Sequence, residues 1–347
     1  MEPPMKPIVR TDLLIAAAVL FGIVTLTAAT GVIGAQPRQE AVDEEAGGLE
    51  VLQLRPNFYM IVGAGGNIAV QTGPDGVVVV DAGSAAKADA VLAAIRKRAD
   101  RPIRYVIDTS ADPDHVGGNE ALSKAGETLF NLNSAIATAM TNGGAATILS
   151  AEKVMVRMSA AGAAPAAYPA AAWPTETFHQ LRRYMYINGE GLEVLHQPAA
   201  HTDGDSLVFF RRSDVVVAGD VIDTTRFPMI DLARGGSIQG EIDALNRIVD
   251  LAIPSIPFDW RDEGTLVIPG HGRLLDQLDV VEYRDMVVII RDRIRALLKQ
   301  GKTLEQVKAA APTQGYSRRY GAESGGWTTS MFVEAIYTSL TREKPSA

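Results

Sequence analysis

Short segments rich in valine and isoleucine alternate with turns of glycine and aspartate along most of this chain, and few folds accommodate that alternation. Residues 67–72 and 77–80 have the composition of strands, and Gly73-Pro74-Asp75-Gly76 between them predicts a hairpin turn. Apolar residues at helical spacing predict a helix over 84–98, and a short buried strand is predicted at 103–107. Hairpins interspersed with helices predict an α/β fold in which helices cover sheets.

The second half of the chain repeats this pattern and then becomes helical. Strands are predicted at 192–195, 207–211 and 215–218, and helices at 238–253 and 280–300. Thr303 and Gln306 have the spacing of a capping box for a further helix. Two β-rich halves, 50–125 and 190–275, are therefore expected to form similar units, followed by a helical region over about 280–340.

The segment of about 130–190 between these halves has a different composition. Nine of the fourteen residues from 159 to 172 are alanine, and Pro165 and Pro169 interrupt them. This composition predicts an insertion made of a loop or short helices, placed beside the functional site.

The amino-terminal segment indicates export. Lys6 and Arg10 precede an uncharged run over 13–35, whose strongly apolar part, 13–26, has the length of a signal-peptide core. Small residues then lead to a cleavage position after Ala35. The alternative is an uncleaved membrane anchor, since about 20 apolar residues span a bilayer. Residues 1–35 are therefore expected to be a signal peptide or an anchor, and the remainder to be periplasmic, secreted or anchored facing outward.

Composition limits the chemistry. The chain of 347 residues has 33 Lys and Arg against 41 Asp and Glu, a net charge of −8, which argues against nucleic acid as a partner. Because it contains no cysteine, disulfides, thiolate ligands and cysteine nucleophiles are excluded. Any metal must therefore be bound by histidine and carboxylate, a donor set that suits Zn²⁺, Fe or Mn²⁺.

Three of the five histidines lie in turns that follow predicted strands, where a rigid scaffold usually presents its functional groups. The segments are Ser110-Ala111-Asp112-Pro113-Asp114-His115-Val116-Gly117-Gly118, Ala200-His201-Thr202-Asp203-Gly204-Asp205, Ala218-Gly219-Asp220 and Pro269-Gly270-His271-Gly272. The other two histidines, His179 and His196, match none of these segments and are expected at the surface or in the core.

With this ordered series, the chain resembles the metallo-β-lactamase fold superfamily over residues 51–340. The resemblance implies an αββα sandwich with metal ligands in the loops at one end. By the same resemblance, Asp114, His115 and His271 hold one metal, and Asp220 bridges it to a second.

The first motif departs from the family pattern His-x-His-x-Asp-His, because Ser110 and Asp112 replace its two leading histidines. The other metal would keep only His201 and the shared Asp220, together with Asp112 if this side chain is a ligand rather than a solvated turn residue. A neutral serine hydroxyl is a poor ligand for a divalent cation, whereas a carboxylate is a proper one. The resemblance therefore implies one intact metal site and one depleted site.

The implied activity is that of a metal-dependent hydrolase with one Zn²⁺, or two, in which a metal-bound hydroxide attacks a carbonyl or phosphoryl centre of a small molecule. Asp114 would orient that nucleophile and relay its proton. Arg226, in the loop 224–229, is a candidate anchor for a substrate anion, with a solvated loop arginine as the alternative. Lactam, lactone, thioester and phosphoester substrates all stay open. The competing functions are a non-catalytic binding protein and redox chemistry at an iron pair.

Overall fold

The structure is a computed structural model, and it describes residues 42–129, 144–160, 168–255 and 264–342. The expected signal peptide or anchor and parts of the Ala-rich segment lie outside the described residues. Among the described residues, no helix is both long enough and apolar enough to cross a membrane.

The strands form two sheets, and within each sheet they are arranged in chain order. The first sheet contains β1 (Val42–Glu45), β2 (Leu49–Arg55), β3 (Phe58–Ala64), β4 (Gly66–Gly73), β5 (Gly76–Val80), β6 (Ile103–Ile107), β7 (Thr147–Ala151) and β8 (Glu176–Phe178). The second contains β9 (Arg182–Ile187), β10 (Glu190–Gln197), β11 (Asp205–Phe210), β12 (Val215–Asp223) and β13 (Leu266–His271).

Helices cover the outer faces of both sheets. They are α1 (Ala88–Arg96), α2 (Pro113–Val116), α3 (Asn119–Lys124), α4 (Glu152–Ser159), α5 (Ile238–Leu251), α6 (Gln277–Lys299), α7 (Leu304–Ala309), α8 (Ser317–Tyr320) and α9 (Thr329–Arg342). Short 3₁₀ turns lie at Ala85–Lys87, Ala170–Ala172 and Leu232–Arg234.

Strand β5 shows why the sequence folds into layers. All five of its residues are buried, because successive side chains point to opposite faces of a sheet that is covered on both sides. Val78 and Val80 pack between the two sheets, while Val77 and Val79 pack against the helical layer. Phe58 and Phe210 join the sheets edge to face, with ring centroids 4.8 Å apart. The predicted αββα sandwich is confirmed.

The direction of the strands determines where loops converge. Strands β5 to β8 run parallel to one another, as do β12 and β13, whereas all other neighbouring strands are antiparallel. The carboxyl ends of parallel strands meet at one edge of a sheet, where open α/β folds bind their ligands. The loops after β5, β6 and β13 are therefore available to one site.

The hairpin predicted at Gly73-Pro74-Asp75-Gly76 is present between β4 and β5, and the capping box of Thr303 and Gln306 begins α7. The segment of about 130–190 differs from the expected loop or short helices, since its described part contributes β7, β8 and β9 to the sheets. Strand β7 has only five residues, so composition alone does not reveal a strand that parallel pairing with β6 stabilises.

Candidate metal centre

Each candidate ligand lies at or near a strand end on the same side of the sandwich. Asp112 is the residue before α2, and Pro113 starts that helix, where its fixed φ is already helical; Asp114 and His115 follow in the same turn. His201 lies between β10 and β11, Asp220 lies within β12, and His271 is the last residue of β13. Four separate segments of the chain therefore supply the candidate ligands.

Close backbone approach brings two of these segments together. A Cβ atom at Gly270 would lie 2.4 Å from Asp220 Oδ1 and 2.8 Å from the carbonyl carbon of Gly219. Only glycine lets β13 pass Asp220 at this distance. The Pro-Gly-His-Gly segment is thus explained by packing against β12 as well as by its histidine.

The first cluster, which we name the Asp112 group, consists of Asp112, His201 and Asp220. His201 Nε2 lies 2.9 Å from Asp112 Oδ2 and 3.9 Å from Asp220 Oδ2. One candidate ligand atom from each residue lies within 4.8 Å of the others. The structure therefore brings Asp112 to His201, in the position that the sequence left undecided.

The second cluster, which we name the Asp114 group, consists of Asp114, His115 and His271. His271 Nε2 lies 3.2 Å from Asp114 Oδ2 and 3.4 Å from Asp220 Oδ1, and His115 Nε2 lies 3.1 Å from that same Oδ1. Asp220 thus presents Oδ1 to the Asp114 group and Oδ2 toward the Asp112 group, which is the arrangement expected of a bridging carboxylate.

His115 is oriented by a residue that the sequence did not single out. Its Nδ1 lies 2.8 Å from Asp81 Oδ2, and Thr109 donates to both carboxylate oxygens of Asp81, from its backbone N–H at 2.8 Å and from Oγ1 at 2.7 Å. With Nδ1 engaged, Nε2 faces Asp220. Such carboxylate–histidine pairs fix the tautomer and ring orientation of metal ligands.

His201 is oriented in the same manner by the backbone. Its Nδ1 contacts the carbonyl oxygen of Met229 at 2.8 Å, so its Nε2 also faces the carboxylates. Asp205 shapes the loop by accepting the backbone N–H of Thr202 at 2.6 Å and its Oγ1 at 2.8 Å. Both ligand histidines at these positions therefore present the same nitrogen to the site.

The electrostatics of the two groups favour a cation. Burial alone raises the pKa of Asp220, but the charge of His115 and the hydrogen bonds from His115 and His271 hold it well below its usual range. Burial lowers the pKa of histidine, yet the facing carboxylates outweigh it and raise the pKa of His201 to about 10 and that of His271 to about 9. In the metal-free protein, protons held by these histidines thus offset the negative charge of the ionised carboxylates, and a bound metal ion would displace those protons.

The donor set fits a divalent metal ion. Three imidazole nitrogens and three carboxylates converge without any thiolate, which suits Zn²⁺, Fe or Mn²⁺. In His115 and His201, Nδ1 is engaged by Asp81 and by the Met229 carbonyl oxygen, as the second nitrogen of a metal-ligating histidine usually is. On these grounds the Asp114 group with Asp220 can supply four protein ligands.

A cavity of about 190 Å³ opens above both groups. It is lined by Asp112, Pro113, Asp114, His201, Asp220, Asp223, Arg226, Met229 and His271. Arg226 is therefore at the cavity wall, where its Nε lies 2.5 Å from Asp223 Oδ2.

The remaining candidates lie elsewhere. Ser110 is fully buried and its Oγ accepts the backbone N–H of Asp112 at 3.2 Å, so it supports the turn. His179 is exposed, and His196 contacts the carbonyl oxygen of Asp203 at 2.8 Å. Sequence reasoning also missed Arg234, whose Nη1 lies 2.5 Å from Asp112 Oδ1.

The amino-acid sequence matches one family model and one curated protein. The metallo-beta-lactamase superfamily model matches residues 62–271, more than half of the chain. The linear primary-alkylsulfatase of Pseudomonas sp. (strain ATCC 19151) is 24% identical over 274 residues, which cover 70% of this chain and 50% of that protein. The chain thus spans about half the length of this curated relative.

Solved structures share the fold. The stereoselective inverting sec-alkylsulfatase Pisa1 from Pseudomonas sp. superposes with a TM-score of 0.59 at 15% identity, covering 83% of this chain and 49% of that one. A metallo-beta-lactamase from Pontibacter korlensis gives a TM-score of 0.50 at 17% identity, covering 69% and 98%. Because the family match extends from β3 to His271 and includes every loop that carries the two groups, the chain belongs to the metallo-beta-lactamase superfamily.

Proposed function

We propose that this protein is a metal-dependent hydrolase whose Asp114 group, together with Asp220, holds a divalent ion, Zn²⁺ in the first instance. The observation that carries this proposal is the convergence of Asp114, His115, His271 and Asp220, of which all but the buried His115 line one cavity. When bound, such an ion lowers the pKa of water from 15.7 to about 7 and polarises a substrate oxygen.

Asp114 is the proposed catalytic residue. Its side chain is 37% exposed, compared with 14% for Asp220 and 18% for His271, so it is the group most open to the cavity. One of its oxygens, Oδ2, contacts His271. Burial raises the pKa of Asp114, but the hydrogen bond from His271 and the charges of His115 and His271 together outweigh it and leave this pKa below its usual value, so the carboxylate is ionised at neutral pH. An ionised carboxylate here orients an attacking water and accepts its proton.

Arg226 is the proposed anchor for substrate. It lines the same cavity as Asp114 and His271, and its bond to Asp223 fixes the guanidinium beside them. A guanidinium binds planar or tetrahedral oxyanions through paired N–H groups. We therefore propose that the substrate is an ester carrying a compact anion, a sulfate or phosphate ester, and the linear primary-alkylsulfatase relative supports a sulfate ester as the first to be tested.

A panel of chromogenic substrates tests this function. Purified protein would be assayed on p-nitrophenyl sulfate, phosphate and acetate and on a chromogenic lactam, before and after treatment with a chelator. We expect hydrolysis of an anionic ester that the chelator abolishes and added Zn²⁺ restores. Asp114→Asn should lower kcat by about 10²–10⁴-fold, the usual range for loss of a general base.

Two arginine variants separate substrate binding from general effects. Arg226→Met should raise KM for the anionic ester and leave hydrolysis of the neutral acetate unchanged. Arg284→Met is the control, because Arg284 lies on α6 and pairs with Asp285 and Asn246 away from the cavity. Activity that survives chelation would contradict the proposal. A protein that binds metal but turns over none of these substrates would instead be the non-catalytic binding protein.

A further inference from the structure

Arg234 places a permanent positive charge against one of the two groups. It ends the 3₁₀ turn Leu232–Arg234, and its Nη1 lies 2.5 Å from Asp112 Oδ1. Its Nε lies 3.1 Å from Asp231 Oδ2. Unlike the imidazoles of the site, a guanidinium cannot give up its proton in a protein, so this charge is present at every working pH.

The local backbone holds Arg234 in this place. Asp231 accepts the backbone N–H groups of Ala233 and Arg234, and its own N–H donates to the carbonyl oxygen of His201 at 2.9 Å. The carbonyl oxygen of Arg234 accepts the N–H of Asp203 at 2.9 Å. The turn from Asp231 to Arg234 is thus bonded to the loop that carries His201 at two points, so the Arg234 side chain and that histidine are positioned together.

Both oxygens of Asp112 are engaged as a result. Oδ1 pairs with Arg234 and Oδ2 pairs with His201 Nε2. A metal ion in the Asp112 group would need one of these oxygens and would lie beside the guanidinium, where like charges repel. Ser110 offers no compensation, since it is a neutral hydroxyl that already accepts the Asp112 N–H.

The Asp114 group differs in this respect. Among the described residues, the Asp114 carboxylate contacts His271, which can lose its proton to an incoming metal ion. Arg226, the arginine on the cavity wall, is instead paired with Asp223. The two groups thus share Asp220. They differ because Asp114 is paired with a histidine that can lose its proton, whereas Asp112 is paired with an arginine that keeps its charge.

We propose that Arg234 is the resident cation of the Asp112 group and prevents a second metal ion from binding there. The protein would hold one divalent ion, in the Asp114 group. The ion-paired set of Arg234, Asp112 and His201 would serve as a positioning unit that keeps Asp220 directed at that ion. This inference rests on the metal site of the proposed function. It adds that the chain binds one metal ion and that Arg234 determines this number.

Cobalt titration of the full chain tests the inference without any activity assay. Metal-free protein would be titrated with Co²⁺, following the visible absorption of the ion, and bound cobalt would be counted by elemental analysis after gel filtration. We expect one cobalt per chain for the natural protein. Arg234→Met, which keeps an unbranched stem and removes the charge, should bind two, with the second at least tenfold tighter than in the natural protein.

Control variants assign the effect to charge. Arg234→Lys retains a cation and should bind one cobalt, as should Arg226→Met, which removes the cavity arginine paired with Asp223. Arg234→Gln is a second neutral variant and should behave like Arg234→Met if the latter does not fold.

The outcomes separate the two proposals. Two cobalt ions in the natural protein would overturn the role of Arg234 and leave the metal site standing. One cobalt in a folded neutral variant would also overturn it. No cobalt in the natural protein would refute the metal-dependent function itself.

Discussion

The contact between Asp81 and His115 predicts that Asp81→Asn weakens metal binding at the Asp114 group. Asparagine has the shape of aspartate and tolerates the left-handed conformation found here, φ 62°, so the backbone should not change. If its carbonyl oxygen keeps the Thr109 N–H, its NH₂ faces His115 Nδ1. His115 must then carry its proton on Nε2, the nitrogen that faces Asp220.

The size of the effect follows from the partner that is lost. Removing the carboxylate that orients a ligand histidine costs about 10–100-fold in metal affinity. At about 1.4 kcal/mol per tenfold, this corresponds to roughly 1.4–2.8 kcal/mol. The metal-free protein should lose about 1–3 kcal/mol of unfolding free energy as well, since a buried hydrogen bond to a charged group is removed. A competition titration against a chromophoric chelator measures the first quantity, and urea denaturation measures the second.

Asp108→Asn is the matched control. Asp108 is fully buried and adjacent to Thr109, and it accepts Asn119 Nδ2 at 2.9 Å. Burial and the charge of Asp81 raise the pKa of Asp108 well above its usual value, which favours the neutral form that asparagine resembles. Metal affinity should therefore stay at the natural value. If Asp81→Asn binds metal as tightly as this control, Asp81 does not orient His115 and the reasoning is wrong.

Four further predictions concern the ligands, the bound metal, the effect of pH on the metal-free protein, and the compartment. His271→Ala should abolish tight metal binding, whereas His201→Ala should leave the ion of the Asp114 group in place; equal losses in equilibrium dialysis would indicate one coupled centre. Metal at a hundredfold excess over Kd should stabilise the fold by about 2.7 kcal/mol in thermal unfolding, and no shift would exclude binding to the native state. In chelator, metal-free stability should fall as pH rises from 6.5 through about 9, because His271, with its pKa raised to about 9, then releases its proton and the stabilising contact is lost. Export predicts a mature chain that starts near Gln36 or an intact membrane-held chain in fractionation with amino-terminal sequencing, and a soluble cytoplasmic protein retaining Met1 would contradict it.

Local signals in the sequence were sufficient for much of the fold. The hairpin between β4 and β5 was predicted because turn chemistry lies within four consecutive residues, and α7 because its capping box spans four. Strand β7 was missed because its apolar run is short and its stability depends on pairing with β6 about 40 residues away in the chain, which composition does not reveal.

The site shows the same division between local and distant information. Asp114, His115 and His271 were predicted because they lie in two recognisable turn segments, 110–118 and 269–272. Asp81 is separated from His115 by 34 residues, and Arg234 from Asp112 by 122, so only the fold brings these pairs together. The sequence did contain one indication for Asp81. It directly follows four consecutive valines, and a polar residue at the end of a buried strand often belongs to a functional site.

The central claim is that one ion in the Asp114 group drives hydrolysis, and a titration of activity against metal content tests it most directly. Metal-free protein would receive Zn²⁺ in steps, with bound zinc counted by elemental analysis and hydrolysis of p-nitrophenyl sulfate and phosphate measured on the same samples. We expect hydrolysis to rise in proportion to bound zinc and to level off at one ion per chain. Full activity before any metal is added, or one bound ion per chain without hydrolysis of any ester in the panel, would contradict the claim.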